Sequence, residues 1–494
     1  MRVPFPVHIP LVAATGFAVI LFAVQLLQGT SLLFAICSFL FIIIAALAFN
    51  LAGGFSRPSG AYVFFYSFLG VIFGLIWKAL LGERADSNLL MPQLTIQVFL
   101  GGITAMLVAV FISRKISLRR GVLQNIIPES KMQNATVGCM VTGLAITLIF
   151  MFIPKGSGSL LSALNQVNRF LPMAMILGVI HEIRKSGGTR SLSPPVLVAG
   201  AVIFLIGLIG YSKEGMFTPI LCWFVAAGSQ RFRLSVQQVV GGGALVLLMV
   251  LFLVPYAQIG RNSEQGSFEL LSNLGQVRSQ YNATTEDSYA DSAQGYYNSP
   301  QGFADRLQMI SVDDGLIDVT ERNGPFGMAP VIAGFENLVP RVFWPGKPSI
   351  GYGNVYAHEI GGLPEDDTTT GVSFTPTGEA YHIARWVGIF LVAPILWIML
   401  FTLFDSLCGD TRLSPWGLLL TAYFAHNAPE GLLGGVIYDL GFGAFGILVA
   451  ALSAAYLMPV VGSLVKGPEK TSMLRARLIQ PRSRIITDSP SEAS

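Results

Sequence analysis

Residues 31–51 read SLLFAICSFLFIIIAALAFNL and carry no charged side chain. A helix needs about 20 apolar residues to cross the hydrocarbon core of a bilayer. Similar apolar blocks recur along the 494-residue chain, and we predict twelve spans at roughly 8–28, 31–51, 60–81, 92–113, 135–153, 160–180, 195–211, 214–228, 236–257, 386–405, 414–432 and 437–462. The eighth span is short and contains Pro219, so the seventh and eighth could instead form a re-entrant pair.

The composition agrees with an all-α polytopic membrane protein. Hydrophobic residues make up 52% of the chain and charged residues 12%, and mean hydropathy is +0.61. Soluble domains carry about 25% charged residues. The net charge of +3 gives no reason to expect nucleic acid as a partner. We expect the four cysteines to be buried small hydrophobes and not disulfide or metal ligands, since no CxxC spacing links Cys37, Cys139, Cys222 and Cys408.

Lysine and arginine in the short connections predict the orientation. They cluster in residues 114–134, 181–194 and 229–235 and in the tail after 463. All four clusters are cytoplasmic if the N-terminus is inside. The chain then divides into nine helices (1–257), a large periplasmic loop (258–385), three last helices (386–462) and a basic cytoplasmic tail (463–494).

Two cations stand at the predicted outer ends of spans. Lys213 precedes Glu214 in GYSKEGMF, and Arg261 follows the ninth span in PYAQIGRNSE. Both have an ordinary interpretation, in which a long basic side chain reaches the membrane surface from an apolar segment. The functional alternative is a cation held where a lipid-borne phosphate would lie.

The outer loop contains a proline-rich stretch, FENLVPRVFWPGKPSIGYG (335–353), with Arg341 and Lys347. Proline restricts the backbone, so we expect a stiff loop. A stiff loop with two cations suits an anionic ligand, although proline-rich packing loops are common.

Residues 371–385, GVSFTPTGEAYHIAR, lead into the tenth span. If the helix begins near Thr377, Glu379 and His382 share one face, and either could accept a proton from a sugar hydroxyl. The alternative is a solvated interfacial cap. In PEDDTTT (364–370) the acidic residues could suggest a divalent cation, but consecutive acids usually form a solvated turn.

A further polar group lies near the outer end of the eleventh span, in AHNAPEG (425–431). His426 and Glu430 are four residues apart and share a helix face. Such groups point into a cavity or bond neighbouring helices.

The order of these motifs resembles the Wzy-type oligosaccharide repeat-unit polymerases, the O-antigen polymerase family. The resemblance rests on FxDRLQMI (303–310), LVPRVFWPGKPS (338–349) and TGVSFTPTGEAYHIARWVGIFL (370–391), with the basic residues near 213 and 261 before them. It covers roughly residues 205–395 as motifs. It supports a class of enzyme, and it leaves the sugar open.

The resemblance implies a GT-C-like glycosyltransferase of the bacterial inner membrane that joins undecaprenyl-diphosphate-linked repeat units on the periplasmic side. Partners would be lipid-linked oligosaccharide donor and acceptor, membrane lipids, a chain-length regulator and a flippase. No cofactor or metal is expected, because cations can offset the diphosphate charge. The matching positions are Glu379, His382 and Arg341 for catalysis and Lys213, Arg261, Arg306, Lys347 and Tyr381 for substrate binding. His426 and Glu430 match no motif of the family.

Three other functions stay open at this point. A ligase that transfers finished glycan to another acceptor would share the donor, the membrane side and the architecture. A transporter or flippase usually shows paired halves and mid-membrane charges, and we find no internal repeat. The third is a scaffold role without catalysis.

Overall fold

A computed structural model describes residues 1–152, 168–261, 263, 266–291, 309–341, 343–344, 346–348, 350–363, 365–368 and 370–466, with backbone only at 284–291. These residues form helices and two isolated β-bridges. The helices are α1 (Leu11–Leu27), α2 (Leu32–Ala52), α3 (Pro58–Leu81), α4 (Pro92–Ile116), α5 (Glu129–Phe152), α6 (Phe170–Lys185), α7 (Pro194–Ile209), α8 (Lys213–Ser229), α9 (Val236–Arg261), α10 (Ser267–Ser272), α11 (Leu274–Asp291), α12 (Ile310–Asn323), α13 (Ala329–Asn337), α14 (Tyr352–Glu359), α15 (Pro376–Val387), α16 (Ala393–Cys408), α17 (Pro415–Glu430) and α18 (Leu432–Lys466).

Seven helical segments in the described part of the chain are long and apolar enough to cross a membrane. They are α2 with the turn after it, α3, α4, α5, α9, the continuous segment that holds α15 and α16, and α18. Two more apolar helices, α1 and α7, are shorter. In α9 only 22% of the most apolar window is buried inside the protein, so most of that helix has only lipid to cover it. The predicted class, an all-helical polytopic membrane protein, is confirmed.

Buried aromatic side chains fill the centre of the bundle. Trp397 and Tyr62 are fully buried, and the indole Nε1 of Trp397 lies 3.4 Å from the Tyr62 hydroxyl oxygen. The indole of Trp416 donates to the carbonyl of Leu123 at 2.8 Å. A buried tryptophan or tyrosine usually finds such a partner for its polar atom. All four cysteines are free and buried, which confirms their predicted role as small hydrophobes.

Helix α12 of the 258–385 loop is joined to the apolar helices by two adjacent buried carboxylates. Asp314 accepts hydrogen bonds from the amides of Leu90 and Met91 (3.0 Å for Met91), just before α4 begins. Asp313 accepts from the amide of Thr375 at 3.1 Å and from its hydroxyl. Thr375 is itself the N-cap residue of α15. One helix therefore bonds the residues that directly precede α4 and α15, which fixes the starts of these two helices relative to each other.

Helix α15 begins at Pro376, close to the start predicted near Thr377, and it is interrupted at Ala384 and Arg385. Arg385 has φ 48°, a left-handed conformation that is strained for a long side chain. The carbonyls of His382 and Ile383 accept hydrogen bonds from the amides of Phe326 and Gly327 at 2.9 and 3.1 Å. The 258–385 loop thus satisfies carbonyl groups that the interruption leaves without helical partners. The interruption separates the first part of α15 from the long helical segment that follows.

Candidate active site

A cavity of about 450 Å³ lies between the outer loop and the start of α18. Its walls come from α13, the proline-rich loop, α14, α15 and α18. The lining residues are Pro330, Ala333, Gly334, Asn337, Leu338, Arg341, Lys347, Ile350, Tyr352, Glu379, Leu432, Gly434, Gly435, Tyr438 and Phe442. Such a volume is within the usual range for small-molecule sites. Three of the residues predicted from the sequence, Glu379, Arg341 and Lys347, meet here.

Glu379 stands in the first turn of α15 and is 1% exposed. One carboxylate oxygen accepts a hydrogen bond from the Tyr356 hydroxyl at 2.9 Å, and the other accepts from the backbone amide of Leu433. The position follows from local sequence, since the Thr375 side chain caps the helix and Pro376 occupies its first turn. A carboxylate held by two donors at a cavity wall has a fixed orientation, as a general base requires.

Arg341 is exposed, lines the cavity, and makes no hydrogen bond or ion pair with the described residues. It follows Pro340, whose carbonyl accepts from the amides of Phe343 and Trp344 at 2.9 and 3.2 Å. The turn therefore holds the backbone beside Arg341 in place, while no N–H group of the guanidinium is used by the described residues. An unused guanidinium can bind an anion through two parallel hydrogen bonds.

Lys347 has a different role from Arg341. Its ammonium donates to the carbonyls of Asn337 and Val339 at 3.1 and 2.8 Å, just after α13 ends. Burial and the charge of Arg341 lower the pKa of Lys347. Two of its three donors satisfy the end of α13. Lys347 therefore fixes the loop that carries Arg341 and retains one donor for a ligand.

His382 and Tyr381 are not among the residues that line the cavity. The Nδ1 of His382 lies 2.9 Å from the Thr320 hydroxyl, and its ring packs against Tyr356 with centroids 4.8 Å apart. Its Nε2 lies 3.1 Å from a carboxylate oxygen of Glu359, in a geometry that does not form a hydrogen bond. Tyr381 donates to Glu321 at 3.0 Å. Both predicted site residues therefore support the packing of α15 against α12 and α14.

The start of α8 and the end of α9 meet at a corner that carries Lys213 and Arg261, outside the cavity lining. Lys213 donates to Gln258 at 3.1 Å, and Arg261 donates to the Tyr211 carbonyl at 3.1 Å. Arg306, the remaining predicted cation, lies outside the described residues.

His426 connects this corner to the end of α17. Its Nε2 lies 3.7 Å from Glu214, and its Nδ1 lies 3.4 Å from Glu430. Helix α17 ends at Glu430, and Leu432 follows in the cavity wall. His426 and Glu430 therefore lie beside the cavity, and neither is one of its lining residues.

A second polar group, which the sequence analysis did not identify, is centred on Asp439, the residue after Tyr438. Asp439 is fully buried and accepts hydrogen bonds from Tyr423 at 2.8 Å and Asn427 at 2.5 Å. The Arg169 guanidinium lies 5.1 Å from the centre of the Tyr423 ring. Arg169 and Asp439 both lie inside predicted spans, at 160–180 and 437–462. A charge inside an apolar segment is the signal that could have identified them.

The acidic turn shows local bonding and no converging ligands. Glu365 and Asp366 are exposed, and Asp367 accepts a hydrogen bond from the Thr370 amide at 2.9 Å. The Asp367 carbonyl also accepts from Asn354 at 3.0 Å. Across the described ranges, no group of three or more histidine, cysteine, aspartate or glutamate side chains could hold a metal ion.

Comparison with known proteins found no match to this chain. No protein-family model matches it, and no curated protein or solved structure matches it either.

Proposed function

We propose that this protein is a GT-C-like glycosyltransferase with twelve spans that polymerises lipid-diphosphate-linked oligosaccharide units on the periplasmic face of the bacterial inner membrane. The observation that carries the proposal is the shared cavity of Arg341, Lys347 and Glu379. These residues belong to two separate motifs of the polymerase resemblance. A general base and an unpaired arginine in one cavity are what glycosyl transfer from a diphosphate carrier requires.

In the proposed reaction Glu379, Arg341 and Lys347 each have one role. Glu379 accepts the proton of the acceptor hydroxyl as its oxygen forms a bond to the anomeric carbon of the donor. The bond between that carbon and the diphosphate oxygen breaks, and the carrier diphosphate leaves with the electron pair. Arg341 stabilises the negative charge that develops on the leaving group. Lys347 holds the Arg341 loop and can add a third hydrogen bond.

Contacts among the basic connections support the proposed orientation. Arg57 donates to the carbonyl of Arg119 at 3.4 Å, and Arg184 donates to Gln230 at 3.0 Å. The N-terminal amine donates to the carbonyl of Leu234 at 2.8 Å. The N-terminus is therefore next to the basic 229–235 turn. This agrees with a cytoplasmic N-terminus and with outer loop 258–385 on the opposite, periplasmic side.

The test is chain extension by purified protein in vesicles that contain a lipid-diphosphate oligosaccharide. Arg341→Ala should slow extension by about 10²–10³, the loss typical for one oxyanion-stabilising donor. Glu379→Gln should slow it at least as much. The matched control is Arg322→Ala, because Arg322 is another exposed arginine of the same loop, paired with Asp318 and absent from the cavity.

The control should extend chains at close to the wild-type rate. Normal polymer ladders from both Arg341→Ala and Glu379→Gln would refute the assignment. Transfer of a single unit with no ladder, to an acceptor that is not a lipid diphosphate, would favour the ligase alternative.

A further inference from the structure

Helix α13 has one apolar face that the described part of the chain covers only in part. Met328, Ile332, Phe335 and Val339 follow one another at intervals of four, three and four residues. Ile332 and Phe335 lie on one side of α13, Met328 directly precedes the helix, and Val339 follows it. Their side chains are 41%, 56%, 44% and 38% exposed. We call these four residues the α13 apolar face. Large apolar side chains in a continuous exposed row indicate a contact surface.

The opposite face of α13 packs on a helix long and apolar enough to span the membrane. A Cβ added to Gly334 would lie 2.8 Å from Ile437 Cδ1 and 3.5 Å from Gly434 Cα, both in α18. Backbones approach this closely only where one residue lacks a side chain. Val331, on the same side, is 7% exposed. Helix α13 therefore lies directly against the end of α18, at the boundary of the apolar bundle.

The chain next to the α13 apolar face has the composition of a membrane interface. Phe343 and Trp344 are 81% and 40% exposed. Residues 325–350 hold one acidic side chain, Glu336, whereas the outer loop as a whole is rich in acids. Arg341, exposed in the same loop, supplies a positive charge. Tryptophan, apolar side chains and arginine together are typical of a surface at the level of the lipid headgroups.

We propose that the α13 apolar face, with Phe343 and Trp344, is inserted into the headgroup region of the outer leaflet and forms the lipid-facing rim of the cavity. Leu338 and Ile350 continue the apolar surface from this rim into the cavity, where Arg341 and Glu379 lie. A phosphate at the membrane surface would meet Arg341 without its acyl or isoprenoid chain leaving the bilayer. The insertion into lipid stands on contacts and composition, whereas the choice of the outer leaflet and the identity of the lipid entering the cavity rest on the proposed function.

Spin labels test the insertion without any use of enzymatic activity. Ile332→Cys is labelled with a nitroxide in the full-length protein, in phosphatidylethanolamine–phosphatidylglycerol vesicles. Collision rates with oxygen, which concentrates in lipid, and with a water-soluble nickel chelate are then measured. Leu247→Cys is the lipid control, because Leu247 is 58% exposed on α9. Asn323→Cys is the water control, since Asn323 is exposed at the end of α12.

The expected result is an oxygen-to-nickel ratio at Ile332→Cys several-fold above that at Asn323→Cys and below that at Leu247→Cys, because Leu247 lies near the middle of α9 whereas the proposed insertion reaches only the headgroup region. A ratio equal to that of Asn323→Cys would overturn the proposal, because the face would then lie in water. Low collision rates with both reagents would also overturn it, since a protein surface or second copy would then cover the face. Phe343→Cys provides a second reporter, and wild type treated with the same nitroxide reagent is the blank, because its four native cysteines are buried.

Discussion

Asp313 should make the anchoring of α12 depend on pH. The carboxylate is 0% exposed and accepts two hydrogen bonds from Thr375 at the start of α15. Burial raises the pKa of Asp313 to about 7, against the hydrogen bonds from Thr375, and the negative charge of Glu379 adds to the rise. The unfolded chain keeps the ordinary value of 3.8. We expect the wild-type protein to lose stability as the pH rises from 6 to 8.

The sign follows from proton binding. Between the two pKa values the folded state holds a proton that the unfolded state has released, so raising the pH favours unfolding. With a folded pKa of about 7, the change from pH 6 to pH 8 lowers the unfolding free energy by about 1.4 kcal/mol. The destabilisation begins above the unfolded value of 3.8 and levels off above pH 7 to 8, where both states are ionised.

Two variants isolate this effect. Asp313→Asn is neutral at all pH values, and its amide can still accept from the Thr375 amide and donate to the hydroxyl, so between pH 6 and pH 8 it should lose about 1.4 kcal/mol less stability than wild type. Asp313→Ala removes both bonds and leaves buried donors unpaired, which should lower stability by about 2–4 kcal/mol. Equilibrium unfolding in mixed micelles of increasing SDS content, at pH 6 and pH 8, measures the three proteins. An equal loss between pH 6 and pH 8 for wild type and Asp313→Asn would refute the reasoning.

Three other predictions concern the site and the membrane bundle. Tyr356→Phe removes the hydroxyl that donates to Glu379 and should slow chain extension up to about 10-fold; an equal effect in a Glu379→Gln background would contradict this role. Gly138→Ala should lower the unfolding midpoint, because the added Cβ would lie 2.0 Å from a carbonyl oxygen of α18. Gly16→Ala is the control and should leave the midpoint unchanged, since nothing lies within 4 Å of the added Cβ. Equal midpoints for the two variants would argue against the α5–α18 contact. Extension should persist in EDTA and in Asp366→Ala, and activity restored only by added Mg²⁺ or Mn²⁺ would disprove the cation-only mechanism.

The positions of the helices could be predicted from the sequence because the signal is local. A helix occupies the described part of each of the twelve predicted ranges, and α2 and α9 begin within one residue of their predicted starts. The start of α15 was predicted almost to the residue, because threonine followed by proline is a frequent helix start. Each of these depends on residues that are neighbours along the chain.

The composition of the candidate site could be predicted only in part. The sequence predicted Arg341, Lys347 and Glu379 as site residues, and the three line one cavity, but it could not predict that the Lys347 ammonium bonds the end of α13. It also predicted His382 as a candidate base, and it could not predict that Thr320, Glu359 and Tyr356 surround that ring. The Lys347 contacts join residues 8 and 10 positions apart through an irregular loop, and the His382 contacts join residues more than 20 positions apart, so no local pattern encodes them.

The sequence by itself therefore determined that this is an all-helical membrane protein and where its apolar helices lie. The physical reason is that transfer of an apolar segment from water to lipid depends on that segment alone. The tertiary structure decided which polar residues share a cavity. Asp313 and Asp314 bond the starts of α15 and α4, and α13 packs on α18, so Arg341 and Glu379 meet across a fold that neither motif specifies.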